Sequence, residues 1–199
     1  LLLRFFFVFF APLLHDPQGV MVELEPLGWS RKRQAAEKVS GVKVMEEARR
    51  RAVVSMKHGK TLVLDVGTMG AAMTRGVQRH AIACVKHFAL NSIDSARFRV
   101  DVQATTRVLH ELYLPQFRDC VEAGALAVMS AYNKVNGDWC GHSRRLLTGI
   151  LRDEWEFQGF VVSDWGSIGE IVPHGAAEDL EHASKLSMRA GSDMDMESV

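Results

Sequence analysis

The stretch Gly159-Phe-Val-Val-Ser-Asp-Trp-Gly166 decides how this 199-residue chain is read. A short apolar run bounded by glycine suits a strand buried on both faces, and it ends abruptly in a carboxylate and an indole. Working outward, two similar runs precede it, Ala81-Ile-Ala-Cys-Val-Lys86 and Leu126-Ala-Val-Met-Ser-Ala131. Ser192-Asp-Met-Asp-Met196 follows as a fourth strand candidate. Helical stretches lie between and around them. Residues 69–78 read as a short helix. Residues 103–123 carry Val108, Leu109, Leu112, Tyr113 and Phe117 near helical spacing, with Pro115 placed to kink the helix and Gly124 to end it. Residues 145–156 and 177–190 complete the pattern, the latter closed by Gly191, and residues 133–143 read as a polar loop.

Strand and helix alternating in this way predict βα units and a parallel sheet, which both a doubly wound sheet and a (β/α)8 barrel satisfy. No Gly-rich dinucleotide or phosphate loop follows any strand candidate, which weakens the nucleotide-binding folds. The strand ends are polar and chemically able: Lys86-His87, then Tyr132-Asn133, then Asp164-Trp165. Barrel enzymes gather their active-site groups at the C-terminal ends of the strands. The expected fold is therefore α/β, a partial (β/α)8 TIM-type barrel, since a complete one takes about 250 residues.

Composition narrows the function classes. With 47% hydrophobic and 24% charged residues, the chain is neither collagen-like nor wholly disordered. Three cysteines (Cys84, Cys120 and Cys140) are too few and odd in number for a disulfide scaffold. The 24 basic and 24 acidic groups cancel, which argues against nucleic acid as the partner. The zero is an average, because residues 31–60 hold ten Lys/Arg against three Glu. Residues 31–58 look helical, and the cluster Arg49-Arg50-Arg51 is read as a solvated helix face rather than a phosphate contact. The opening run Phe5-Phe-Phe-Val-Phe-Phe10 is read either as a signal-peptide core or as a truncated or out-of-frame segment; it is too short to span a bilayer.

Several side chains carry chemistry, each with a plainer alternative. Asp164 at a strand end can act as a nucleophile or steady an oxocarbenium-like charge, with Trp165 offering a flat face to a sugar ring. It can equally cap a following helix. Lys86 and His87 are adjacent, so in a regular strand they face opposite sides; relaxed alternation at the strand end would let both donate to hydroxyls. Otherwise they are a salt-bridged lysine and a core histidine. Tyr132 can hydrogen-bond a carboxylate and hold it ionised, or simply pack. No C-x₂-C or H-E-x-x-H spacing points to a metal, and Asp193 and Asp195 lack helper ligands. A G-x-S-x-G elbow is also absent.

Four motifs in order, Lys86-His-Phe-Ala-Leu-Asn91, Met129-Ser-Ala-Tyr-Asn-Lys-Val-Asn-Gly137, Leu151-Arg-Asp-Glu-Trp155 and Gly159-Phe-Val-Val-Ser-Asp-Trp-Gly166, resemble the N-terminal barrel domain of family 3 glycoside hydrolases. Ala190-Gly-Ser-Asp-Met-Asp-Met196 extends the likeness, which runs from about residue 67 to residue 197. The resemblance implies a retaining, exo-acting β-glucosidase or β-xylosidase type of enzyme that needs no cofactor and removes the non-reducing terminal sugar of a small carbohydrate, with no nucleic acid or membrane partner. It implies Asp164 as nucleophile, Lys86 and His87 on the sugar hydroxyls, and Met129, Tyr132 and Trp165 lining the first subsite. Asn91 and Arg97 match the motif after Lys-His-Phe, in a structural or sugar-contacting role. It also implies export, to the periplasm or beyond.

The departures are Glu156, where the family has glycine, and residues 1–66, which show no likeness to the family's opening strands. Residues 67–199 are therefore assigned to the partial barrel, and residues 1–66 are unassigned. The acid/base of such enzymes comes from a further domain, so the rival expectation is an inactive or non-catalytic fragment. A barrel lyase or aldolase using Lys86 as a Schiff-base amine is a second rival.

Overall fold

In the computed structural model, the described residues are Phe5–Phe9, as backbone, and residues 62–196, with side chains from residue 66. The basic stretch at residues 31–58, with Arg49 to Arg51, lies outside the described residues. One four-stranded sheet organises the rest, with β1 (Phe5–Phe9), β2 (Ile82–Phe88), β4 (Ala127–Ser130) and β7 (Phe160–Val162) side by side in that order. All three pairings are parallel, and Val162 makes one more parallel bridge to Met194. Each strand is therefore added to the same edge as the chain advances. A doubly wound sheet reverses that order at its switch point, whereas a (β/α)8 barrel does not. The winding is that of part of a barrel.

Two expectations change here. The Phe5–Phe9 run, read as a signal-like core or an out-of-frame stretch, lies as a strand in register with β2, from Phe5 opposite Ile82 to Phe9 opposite Lys86. The polar loop at residues 133–143 contains a hairpin, β5 (Lys134–Val135) and β6 (Asp138–Trp139), which joins β3 (Asp101–Val102) in a second small sheet. Asn136 (φ 53°) and Gly137 (φ 97°) make the turn. Positive φ at both positions is what a two-residue hairpin requires, and Asn-Gly supplies it at least cost. The Asn136 amide also bonds Ala104 both ways, at 2.8 and 2.9 Å.

The helices follow from local chemistry. Helix α1 (Leu62–Val77) is longer than its sequence pattern suggested. Thr105 caps the next helical stretch by accepting the Val108 N–H through its hydroxyl. That stretch breaks at Leu114, so α2 (Pro115–Glu122) starts with proline in its first turn and ends before Gly124 at φ 93°. A wide helix covers Arg145–Glu154. Finally, α3 (Leu180–Ala190) is capped by Asp179, whose carboxylate accepts the His182 N–H at 2.7 Å, and closed by Gly191 at φ 108°. The fourth strand candidate reduces to the single bridge at Met194.

Strand alternation sorts the core into two layers. Val85, Val128 and Val161 point outward to helix residues that include Phe117, Leu147 and Ile150. Their neighbours Cys84, Met129 and Val162 point the other way and pack together. Phe88 closes the outer layer with edge-on contacts to Phe117 (5.2 Å) and Trp155 (5.8 Å).

Candidate active site

The site lies where β2 and β7 end. Pairing between β2 and β4 is regular at Cys84–Ala127 and Val85–Val128, then resumes at Phe88–Ser130 with one residue more on the β2 side. Such a bulge re-aims side chains. Here it falls on Lys86 and His87 and brings both towards Asp164, as the relaxed-alternation reading expected. The Lys86 charge acts on Asp164, and His87 Nε2 lies 3.3 Å from Asp164 Oδ2.

Asp164 stands two residues beyond Val162, on the same inward face, and is only 8% exposed. Its Oδ1 accepts the Trp165 N–H at 2.8 Å. That bond goes to the adjacent residue and not into the first turn of a helix, so the capping alternative does not describe it. Burial raises the Asp164 pKa, while the Trp165 N–H, Lys86 and Arg97 pull it back. His87 is pushed the other way: burial, reinforced by Lys86 and Arg97, lowers it to about 4. Those effects outweigh the carboxylate 3.3 Å away, so at neutral pH a neutral imidazole sits beside Asp164. Burial also lowers Lys86, against the pull of Asp164.

Tyr132 departs from expectation. Its hydroxyl donates to the backbone carbonyl of Trp165 instead of the Asp164 carboxylate. Burial, followed by the nearby Asp164 charge, pushes it up to about 12, so it remains a donor. It thus braces the turn that carries the nucleophile candidate. Trp165 leaves its indole 60% exposed beside Asp164, a free flat face. Met129 is only 1% exposed and packs with Cys84 and Val162, which makes it part of the apolar floor.

Arg97 turns out to be central. Its guanidinium lies 4.4 Å from the Phe98 ring centre and 5.6 Å from that of Tyr132, and it pairs with Asp94. Phe98 in turn meets Tyr132 edge-on at 4.8 Å. Arg97 was visible in sequence only as part of a motif, because its contact with Tyr132 joins side chains 35 positions apart. Asp193 and Asp195 have structural partners. Asp193 accepts from Arg152 at 2.5 Å and from the Val161 N–H at 2.7 Å, and Asp195 accepts from the Ser163 hydroxyl at 2.9 Å. Among the described residues no group of three or more His, Cys, Asp or Glu is gathered as if for a metal ion. None of the described helices is long and apolar enough to cross a membrane.

Residues 42–198 match the Glycosyl hydrolase family 3 N terminal domain. The chain belongs to glycosyl hydrolase family 3. It is 43% identical over 106 residues to thermostable β-glucosidase B of Acetivibrio thermocellus, a match that covers 52% of this chain and 14% of that relative. The periplasmic β-glucosidase of Salmonella typhimurium is 36% identical over 136 residues, covering 64% of this chain and 18% of its own length. Among solved structures, the β-glucosidase from Listeria innocua superposes with a TM-score of 0.63 at 34% identity, over 69% of this chain and 20% of that one. The chain thus spans a fifth or less of these relatives.

Proposed function

We propose that the protein carrying this chain is a retaining, exo-acting β-glucosidase or β-xylosidase that removes the non-reducing terminal sugar from a small β-glucoside or related oligosaccharide. The observation that carries this reading is Asp164: a buried carboxylate at a strand end, fixed by the Trp165 N–H and flanked by Lys86 and His87. In the proposed reaction Asp164 attacks the anomeric carbon as the glycosidic bond breaks. The leaving oxygen takes a proton from an acid, and water then releases the sugar from the Asp164 ester. Lys86 and neutral His87 donate to the sugar hydroxyls, Trp165 stacks on the ring, and Tyr132 and Met129 shape the first subsite from behind.

Retention needs a second carboxyl group about 5–5.5 Å from the first. Among the described residues, the acidic side chain whose charge acts on Asp164 is Asp94, but it is exposed and already paired with Arg97. We therefore assign the acid/base to residues outside those described, in a further domain; residues 67–199 form the barrel portion, which the family match extends back to residue 42 and which β1 joins at Phe5–Phe9. No cofactor enters this chemistry. Action in the periplasm or outside the cell fits the periplasmic naming of the Salmonella relative.

The test uses the whole protein and a 2-deoxy-2-fluoroglycosyl fluoride, which traps the ester. Peptide mapping is expected to find the label on Asp164, and Asp164→Ala is expected to abolish turnover of an aryl β-glucoside. A label on a different carboxylate overturns the assignment.

A further inference from the structure

We propose a buried water site behind the nucleophile turn, held by Ser130 and Ser167 in the space left by Gly141. Ser130 closes β4, and Ser167 lies three residues beyond Asp164, where its N–H donates to the Asp164 carbonyl at 3.0 Å. Ser130 is fully buried and Ser167 is 6% exposed, and neither hydroxyl has a protein partner. A buried hydroxyl without a hydrogen bond is costly, so native proteins rarely leave one, let alone two around a common point.

Gly141 locates that point. A Cβ built on Gly141 would meet just two atoms within 4 Å, Ser130 Oγ and Ser167 Oγ, each at 3.8 Å. The position is therefore polar on two sides, with room for at least a methyl-sized group. Two polar partners suffice to retain a buried water, which displaced slightly from the Cβ position bonds both hydroxyls. The water then ties the turn carrying Asp164 to the end of β4, two residues before Tyr132, which braces the same turn through the Trp165 carbonyl.

Gly141→Ala tests the site in the full protein, because its two neighbours stand at ordinary contact distance and the new methyl does not clash. Without a water, this substitution stabilises by restricting the unfolded chain, and Tm rises. With the water, the methyl evicts it and strands two hydroxyls, so Tm of the transition that unfolds this domain falls by about 2–6 °C. In a Ser130→Ala, Ser167→Ala background the same glycine change is expected to be neutral or stabilising. A high-resolution crystal structure of the parent protein gives an independent readout: one ordered water within hydrogen-bond reach of both Oγ atoms, absent in Gly141→Ala. A rise in Tm in the parent background, or hydroxyls bonded directly to protein groups with no water between, overturns the proposal.

Discussion

Protonation of His87 is expected to dominate the acid sensitivity of this domain. The imidazole has an ordinary pKa of 6.5 in the unfolded chain and about 4 in the fold, because burial and the neighbouring Lys86 and Arg97 charges oppose a third positive charge. The sign follows from linkage. A group depressed by folding contributes stability that is present above pH 6.5 and is lost as pH falls through the folded value. The full gap of about 2.5 units corresponds to about 3 kcal/mol at 1.36 kcal/mol per unit. Since the unfolded chain protonates first, about 2 kcal/mol of this is lost between pH 7 and pH 5. The His87 side chain is 23% exposed, which keeps it in the range where burial acts nearly in full.

The measurement is chemical denaturation at pH 7 and pH 5 for the parent protein and for His87→Gln, which keeps a donor near Asp164 but does not titrate. Lys86, Arg97 and Asp164 are present in both proteins, so the difference in their pH dependence isolates the imidazole. Asp164 itself works in the opposite direction. Its raised pKa makes the folded state take up a proton first, which favours folding as pH falls, and comparison with the variant removes that contribution. The parent is expected to lose about 2 kcal/mol more than the variant over this interval. Equal losses, within about 0.5 kcal/mol, would refute the reasoning that the histidine is held neutral by its surroundings.

Three further outcomes are expected. Gly159→Ala should cost about 3 kcal/mol in denaturant titrations, at the upper end for overpacking. The reason is that its Cβ would lie 2.3 Å from the Leu126 carbonyl oxygen and 2.7 Å from its carbonyl carbon, where backbone cannot yield, and 2.6 Å from the Phe157 ring. Arg152→Ala should cost about 2 kcal/mol in the same assay, since Arg152 donates to the Gly159 and Gly191 carbonyls as well as to Asp193; Asp193→Asn, which can still accept the Val161 N–H, should cost less. Cys84, Cys120 and Cys140 are all buried and their thiols are pushed up to about 12, so a disulfide-exchange reagent should label none of them until the protein unfolds.

Much of the fold was legible because its signals are local. The apolar runs at Val85, Val128 and Val161 are short and bounded by turn residues, and Pro115, Gly124 and Gly191 mark helix ends by backbone chemistry alone. The hairpin at Asn136-Gly137 was also written locally, and the surrounding polar residues masked it because each of its strands is only two residues long. The pairing of Phe5–Phe9 with β2 was not legible, since it joins segments more than seventy residues apart and a run of phenylalanines suits many settings. In the site, Asp164 and Trp165 were readable from a strand end. Tyr132 was readable as a participant but not in its bond: which oxygen it reaches depends on how the turn after Val162 folds back.

The site's electrostatics follow from the period of a strand. Side chains two apart share a face, so Cys84 predicts the inward side for Lys86, and Val162 predicts it for Asp164. Directly beneath lie Cys84, Met129 and Val162, an apolar layer that denies the carboxylate the solvent which would otherwise hold its pKa low. Desolvation of this kind favours the protonated carboxyl, a form unable to serve as the proposed nucleophile. The Trp165 N–H and the charges of Lys86 and Arg97 oppose it. His87, kept neutral by burial and then by the same cations, adds an imidazole contact without adding a charge that would pair with the carboxylate of the proposed nucleophile. The floor and the cations therefore work as a pair. The first removes water from around the carboxylate, and the second favours its ionised form, a division that the alternation of β2 and β7 imposes.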